Sequence, residues 1–147
     1  MLLLLKWNFE KIINLRFKFL TMETKQHLFR EHEENIELAN KIDFYKVEIR
    51  NLKTILTEHS KEVELKNQLI ELEHLQNQLD IQENQANTIS HTIRNNEKRI
   101  DAEFDEEGGK TNLRVQDHQK SKDLVSSFER NFKELRRKIG KFTSKHS

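Results

Sequence analysis

The sequence predicts an all-α protein, an elongated antiparallel three-helix bundle or coiled coil. The 147 residues include no proline and only three glycines, so the usual helix breakers and hairpin-turn residues are scarce. Apolar residues make up 34% of the chain and charged residues 35%, which is too little core material for a compact multilayer fold. Along most of the chain, apolar residues recur at steps of three and four. Such a chain can fold as long helices that each bury one stripe.

The first helix is expected from about residue 24 to about residue 59. Its apolar residues recur at steps of three and four from Leu38 onward, which is the spacing of one buried helix face. Leu28 precedes this run. The predicted stripe consists of Leu38, Ile42, Tyr45, Ile49, Leu52 and Leu56.

The second helix is expected over residues 61–104. Its stripe does not continue the phase of the first, because Leu65 follows Leu56 by nine residues where seven would keep the heptad. We therefore predict a turn near residues 57–61, with Ser60 as a possible N-cap. The alternative is one continuous helix of roughly 80 residues with a skip in the heptad. The predicted stripe consists of Leu65, Leu72, Leu75, Leu79, Ala86, Ile89, Ile93 and Ile100.

The third helix is expected over residues 111–142. The segment DEEGGKTN (residues 105–112) precedes it and is the one concentrated breaker, in which Gly108 or Gly109 can end the second helix. Short connections make the three helices antiparallel neighbours. The predicted stripe consists of Leu113, Leu124, Phe128, Phe132, Leu135, Ile139 and Phe142.

This arrangement predicts a register between the helices. Pairs between the first and second helices should have residue numbers that sum to about 121, and pairs between the second and third to about 216. Leu79 would then lie near Ile42 and Leu135, and Leu75 would lie near Tyr45 and Ile139.

Four polar residues fall at positions that face the other helices: Glu31, Asn35, Gln82 and Asn96. Polar side chains at such positions cost stability and fix the register or the partner, so Asn35→Leu should raise thermal stability and loosen that choice. The alternative is that this end of the bundle frays.

The first twenty-one residues differ from the rest. Their initial apolar run stops at Leu5, so they do not form a signal peptide, and no stretch approaches the length of a membrane span. Their apolar positions follow no steady helical period. We interpret residues 1–21 as a mis-called start before Met22. The alternatives are a membrane-surface anchor with Trp7 among phenylalanines and basic residues, and an extra docked helix. Residues 22–147 would then form one three-helix domain of a cytoplasmic, bacterial-like protein.

The segment HLFREHEEN (residues 27–35) raises the question of a metal site. Glu31 and His32 would approach Asp117 and His118 of the third helix, and carboxylates with imidazoles between helices are how bundle metal sites are built. Di-metal bundles need two Glu-x-x-His pairs, however, and the chain has one, Glu71 with His74. His74 should point to water. A solvated helix start is the favoured interpretation.

No pattern indicates an enzyme. The segment GGKT (residues 108–111) resembles the end of a phosphate-binding loop, but Phe104 stands where that loop needs a glycine, and no strand is predicted before it. There are no cysteines, which excludes thiolate zinc sites and cysteine nucleophiles. We expect no catalytic, cofactor-binding or metal-binding residues.

The net charge of +1 is unevenly distributed. Residues 1–21 carry four basic and one acidic side chain (+3), residues 22–119 carry thirteen and twenty-one (−8), and residues 120–147 carry nine and three (+6). In residues 128–142, a basic amphipathic pattern could bind anionic membrane, nucleic acid or a partner's groove. The favoured interpretation is that its apolar face packs into the bundle and its positive charges balance the negative charges of the acidic first and second helices. The basic residues are Arg130, Lys133, Arg136, Arg137, Lys138 and Lys141.

These observations predict a non-enzymatic helical structural or interaction protein that binds other helices, or itself, through coiled-coil-like seams. The alternative is a basic-helix binder of nucleic acid or anionic membrane through residues 128–142. A third possibility is a His/carboxylate metal site in the bundle. No small-molecule substrate is inferred.

Overall fold

The computed structural model describes residues 2–105 and 111–145, and it confirms the all-α three-helix bundle. The helices are α1 (Leu2–His59), α2 (Lys66–Asp105) and α3 (Thr111–Lys145), and a short 3₁₀ turn (Ser60–Glu62) follows α1. Each helix packs against the other two. The glycine turn predicted at Gly108 or Gly109, and the glycines of GGKT, lie outside the described residues.

The chain turns between α1 and α2, so the first two stripes belong to separate helices. Ser60 does not cap α2, because its hydroxyl donates to the backbone carbonyl of Thr57 at 2.5 Å. Leu65, expected to begin the second stripe, precedes α2 and is 59% exposed. Val63 is buried instead and joins the core beneath the turn.

The register between α1 and α2 differs from the predicted one. His32 contacts Glu97 and Lys53 contacts Asp80, so contacting residue numbers sum to roughly 130 rather than 121. The expected pairing of Ile42 with Leu79 is therefore wrong. The prediction assumed that the chain reverses within residues 57–61, whereas the reversal occupies residues 60–65 and delays the start of α2.

The register between α2 and α3 follows the prediction. Arg99 contacts Asp117, and Asn96 contacts His118, so the residue numbers sum to about 215. Both contacts join the C-terminal part of α2 to the N-terminal part of α3. The fold therefore places α1 parallel to α3, with α2 antiparallel to both.

Most of the apolar core lies on the side of the bundle that ends at the α1–α2 turn. Tyr45 packs its ring against Phe128 and Phe132, with ring centroids 5.6 and 5.0 Å away. Its hydroxyl donates to a Glu129 carboxylate oxygen at 2.7 Å. Burial and this hydrogen bond raise the pKa of Tyr45 to about 12. The core comprises Ile42, Tyr45, Ile49, Leu56, Val63, Leu72, Leu75, Leu79, Ala86, Ile89, Ile93, Val125, Phe128, Phe132, Leu135, Ile139 and Phe142.

The N-terminal part of α1 extends beyond this core. The helix begins at Leu2 rather than at about residue 24, and the first buried side chain is that of Leu28. Leu3, Trp7 and Phe19 are among the large apolar side chains that remain exposed before it. Within the described residues, none of the helices combines the length and the apolar content needed to cross a bilayer.

Candidate functional site

The buried face of α3 becomes polar in its N-terminal half. Stepping back from Val125 by four and three residues, the positions that face α1 and α2 hold Ser121, His118 and Arg114, all of which are buried. Leu113, predicted to begin this stripe, is 52% exposed because it lies one residue away from the buried face. We call the buried polar groups at this end of the bundle, together with the partly exposed glutamates that pair with them, the polar layers: Glu31, Glu34, Asn35, Asn96, Glu97, Glu103, Arg114, His118 and Ser121.

Arg114 joins all three helices in the outermost polar layer. Its guanidinium is 2% exposed and donates from Nη1 to a carboxylate oxygen of Glu31 on α1. Its Nε lies 2.6 Å from a carboxylate oxygen of Glu103 on α2, an ion-pair contact that lacks the alignment of a hydrogen bond. One buried positive charge therefore lies between two nearly buried carboxylates, and removing either charge type would leave the other unpaired in a medium of low polarity.

His118 occupies the next layer with Asn35 and Asn96. Its Nε2 lies 2.6 Å from a Glu34 carboxylate oxygen, so this nitrogen carries a hydrogen and donates it. Its Nδ1 lies 3.1 Å from Asn35 Oδ1 and 3.3 Å from Asn96 Nδ2. A neutral imidazole accepts there from the Asn96 amide, whereas an imidazolium donates to the Asn35 oxygen. Both protonation states therefore have a hydrogen-bond partner in the same layer.

The carboxylate of Glu34 is held in its ionised form by its neighbours. The hydrogen bond from His118 is the largest influence and keeps the pKa of the Glu34 carboxyl below its usual value. The Lys122 ammonium, 2.6 Å from the same oxygen, acts in the same direction. The side chain keeps 32% of its exposure, so the interaction is partly screened by water.

Asn35 connects the buried layer to the groove between α1 and α2. Its Nδ2 donates to one carboxylate oxygen of Glu97 at 3.0 Å, and His32 contacts the other oxygen. The groove is lined by these three residues together with Ile36, Ala39, Asp43, Ser90, Ile93 and Arg94. Asn35, 2% exposed, therefore links α1 to both other helices through its two polar atoms.

The polar layers also contain buried atoms without a hydrogen-bond partner. These are Asn96 Oδ1, Ser121 Oγ and Arg114 Nε, of which the last keeps its ion-pair contact with Glu103. Gln82 Oε1 is a further example within the more apolar part of the bundle. A buried polar atom without a partner costs about 1–3 kcal/mol. Asn35, Gln82 and Asn96 are buried as predicted. Asn35 has a partner for both of its polar atoms, whereas Gln82 and Asn96 each leave their amide oxygen without one.

The residues proposed for a metal site are not brought together. Glu31 pairs with Arg114, His32 with Glu97, Asp117 with Arg99, and His118 with Glu34. Over residues 2–105 and 111–145, no group of three or more His, Cys, Asp or Glu side chains is arranged to hold a metal ion. His74 is exposed, as predicted, and contacts Gln78. The carboxylates near the start of the bundle therefore serve ion pairs and hydrogen bonds.

The apolar side of the basic pattern in α3 packs into the core of the bundle, as the favoured interpretation predicts. Phe128, Phe132, Leu135, Ile139 and Phe142 are all buried in the core. The basic side chains remain exposed, but few of them form ion pairs with carboxylates of the acidic helices α1 and α2. Arg136 lies 3.9 Å from Glu48 of α1, whereas Lys133 and Arg137 pair within α3 itself.

Sequence reasoning missed Arg114 and Ser121 as buried residues. The predicted stripe contains only apolar residues and therefore runs from Leu124 to Leu113. Alternating steps of four and three from Phe128 would have passed through Val125, Ser121, His118 and Arg114, so the spacing contained the information.

Comparison with known proteins assigns no family to this arrangement. No protein-family model matches the chain, and neither a curated protein nor a solved structure matches it.

Proposed function

We propose that the protein is a non-enzymatic helical interaction protein that binds another helical protein, or a second copy of itself, through the outer face of α1. The observation that supports this proposal is a row of large apolar side chains on α1 outside the core. We call it the outer row; each side chain in it is about half exposed. It comprises Phe29, Ile36, Phe44, Val47 and Ile55.

The sequence suggested that a partner binds at the seams between helices, but in the fold these seams form the chain's own core. Ile42, Ile49 and Leu56, the apolar residues of the α1 seam, are fully buried within the chain's own core. They are therefore not available to a partner helix while the bundle stays closed. The outer row offers apolar contact without opening the bundle, and aromatic side chains such as Phe44 are the kind that dominate helix-mediated contacts.

The polar layers support this proposal by fixing how the outer row is presented. Arg114, His118 and Asn35 each contact more than one helix, and a shift by one helical turn would separate their charges and amides. Buried polar contacts of this kind specify a register. The bundle would accordingly present the outer row in one geometry.

Self-association is the form of this proposal that the chain alone can test. Light scattering of the full chain at several concentrations should give a mass that rises above one chain. The double variant Phe44→Ser and Val47→Ser should return the mass to one chain. A matched double variant on α2, Ile70→Ser and Ile81→Ser, also replaces exposed apolar residues and should leave the mass unchanged. A mass of one chain for the unmodified protein at every concentration would overturn self-association.

A second candidate function is binding of nucleic-acid phosphates by the basic side of α3. It is supported by the exposure of Arg130, Lys138 and Lys141 alongside the other basic residues of residues 128–142. Binding of a labelled DNA duplex should weaken steeply with salt. It should disappear when Arg136, Arg137 and Lys138 are replaced by glutamine, and persist when Lys25, Lys41 and Lys98 are replaced instead. Binding that ignores salt would rule this function out.

A further inference from the structure

Carboxylates accompany the outer row of α1. At 100° per residue, the outer row covers an arc of about 100° on the side of the helix opposite to Ile42 and Ile49. Between residues 31 and 58, the positions within about 20° of this arc include five acidic residues and no basic one, and Lys41 and Arg50 lie just beyond them. We call these acidic residues the acidic border; they are Glu33, Glu37, Asp43, Glu48 and Glu58.

Most of the acidic border has no partner within the chain. Glu48 lies 3.9 Å from Arg136 of α3. The other four carboxylates are exposed, and none forms an ion pair or a side-chain hydrogen bond with residues 2–105 or 111–145. Several carboxylates beside exposed apolar side chains give this face a negative potential. The face therefore favours a partner that supplies positive charge together with apolar contact.

The outward side of α3 carries the opposite charge. Its basic residues recur at steps of three and four on the side of the helix opposite to Phe132 and Ile139. We call them the basic row; it comprises Arg130, Lys133, Arg137, Lys141 and Lys145, all of which are exposed. Lys133 and Arg137 pair with glutamates of α3 itself. Lys141 and Lys145 form no ion pair within the part of the chain that the structure describes, so their charges remain available.

The basic row and the outer row cannot meet within one chain. Each lies on the side of its helix that points away from the core, whereas α1 and α3 pack against each other through their inward sides. The charged stretches nevertheless match in length. Glu33 to Glu48 and Arg130 to Lys145 each cover fifteen residue steps, or about 22 Å of helix. The basic row can therefore reach an outer row only on a second copy.

Charge favours the basic row over the outward faces of α1 and α2 as the partner surface. Two outer rows in contact would bring two acidic borders together, and like charges across an interface are unfavourable. The outward side of α2 carries neutral amides such as Asn77, Asn84 and Asn95, and residues 67–93 contain no lysine or arginine. The basic row alone among these three faces supplies a continuous run of positive charge.

Lysine and arginine side chains also suit the apolar part of the outer row. Their aliphatic stems can cover Phe44 and Val47 while their charged ends reach the carboxylates on either side. The guanidinium groups of Arg130 and Arg137 can in addition lie over a phenylalanine ring. One helix face can therefore meet both the apolar side chains and the acidic border.

We propose that the basic row of α3 in one copy lies along the outer row of α1 in a second copy, with its charged ends on the acidic border. This inference rests on the proposed function and names the surface that the outer row binds. Two different faces meet in such a contact, so it is heterologous, and each copy has one face of each kind. Association should weaken as salt is added, because exposed charges on the two faces attract each other.

Charge reversal on each face tests the contact in the full chain. The α1 variant carries Glu33→Lys, Glu37→Lys and Asp43→Lys. The α3 variant carries Arg130→Glu, Arg137→Glu and Lys141→Glu. In light scattering, each variant alone should associate roughly hundredfold more weakly than the unmodified chain, because like charges then face each other across the contact. An equimolar mixture should associate again, because the reversed α1 face meets the reversed α3 face and the unmodified faces meet each other.

A matched control separates this contact from an effect of net charge. Glu64→Lys, Glu73→Lys and Asp101→Lys change the net charge by the same amount as the α1 variant, at exposed positions outside the outer row. This control should associate as the unmodified chain does. Every side chain replaced in the three variants is exposed, so circular dichroism should show unchanged helical content. Restored association in the mixture would show independently that both reversed variants are folded.

Three results would overturn the inference, and they differ in what they imply for the proposed function. If the α3 variant still associates while Phe44→Ser with Val47→Ser gives a single chain, the outer row binds a different surface of the second copy and the proposed function stands. If the mixture of the two reversed variants fails to associate, the two faces do not meet. A single-chain mass for the unmodified protein at every concentration would remove self-association as well, and would leave a different helical protein as the partner of the outer row.

Discussion

The two ends of the bundle use the same helical spacing for different chemistry. Towards the α1–α2 turn, the inward positions hold residues such as Ile49, Leu79 and Phe132, which need no partner atoms beyond close contact. Towards the α2–α3 connection, the inward positions hold Arg114 and His118, which need particular partners on both other helices. The comparison indicates that stability and register are supplied by different parts of one small fold.

Physical reasons support this division. Burial of apolar area is favourable but non-directional, so the apolar end would tolerate several related alignments. A buried ion pair contributes little net stability relative to apolar replacements, but losing one partner is costly. The polar end therefore lowers the stability of misaligned helix arrangements more than it raises the stability of the correct one.

The largest expected effect is at the apolar end. Phe132 is fully buried, and its ring stacks with Phe128 at a centroid distance of 6.2 Å and meets Tyr45. Phe132→Ala should lower the free energy of unfolding by about 4 kcal/mol, through lost burial and the cavity left behind. Urea unfolding measures this loss of unfolding free energy. Phe44→Ala, at an exposed phenylalanine, is the control and should change little.

The next effect is at the polar end. Arg114→Ala leaves the carboxylates of Glu31 and Glu103 nearly buried without their cation, and should cost about 3 kcal/mol in urea unfolding. Arg130→Ala removes an exposed arginine from the same helix and should cost little. If the two alanine variants were equally stable, the outermost polar layer would be open to water and the division between the two ends would fail.

Replacing a whole polar layer should act in the opposite direction. With leucine at Asn35, Asn96 and His118 together, the buried amides and the imidazole are removed with their unmet hydrogen bonds, and stability should rise by about 2 kcal/mol. Register should loosen at the same time. Hydrogen exchange measures both changes, because protection at this end would rise while the α1–α2 contacts become heterogeneous. A triple variant with a single sharp register would contradict the role assigned to this layer.

The single substitution Asn35→Leu gives the contrast. The sequence suggested that it raises thermal stability, but Asn35 bonds both Glu97 and His118. Removing it alone leaves those groups short of a partner and should cost about 1–2 kcal/mol. A melting temperature above that of the unmodified chain would restore the original expectation.

Periodicity was sufficient to predict the apolar end because burial there depends only on residue type and spacing. Ile42, Ile49, Phe128 and Phe132 all lie where steps of three and four place them. The register of α1 on α2 was not predictable in the same way. It depends on how many residues the turn consumes, and the burial of Val63 with the exposure of Leu65 is set by that turn.

The polar end was only partly predictable, since a polar residue at an inward position does not reveal its partner. Asn35 and Asn96 were placed correctly, and His118 was recognised as close to α1. Its contact with Glu34 depends on a register that the sequence did not determine. Arg114 was missed because a charged residue at an inward position becomes plausible only when Glu31 and Glu103 are seen beside it.

The smallest expected effect is the response of the polar end to acid. The pKa of Glu34 is lowered by the hydrogen bond from His118 and by Lys122, so its ionised form stabilises the folded chain. This contribution is complete above the unfolded-state pKa of about 4.5 and is lost as the pH falls through the lower folded-state value. Glu34→Gln should therefore reduce the loss of unfolding free energy between neutral and acidic pH. Glu33→Gln, at the exposed neighbouring carboxylate, should leave that loss unchanged. If both variants reduced the acid sensitivity equally, general charge rather than the His118 contact would control it, and the polar end would not differ from the surface in this respect.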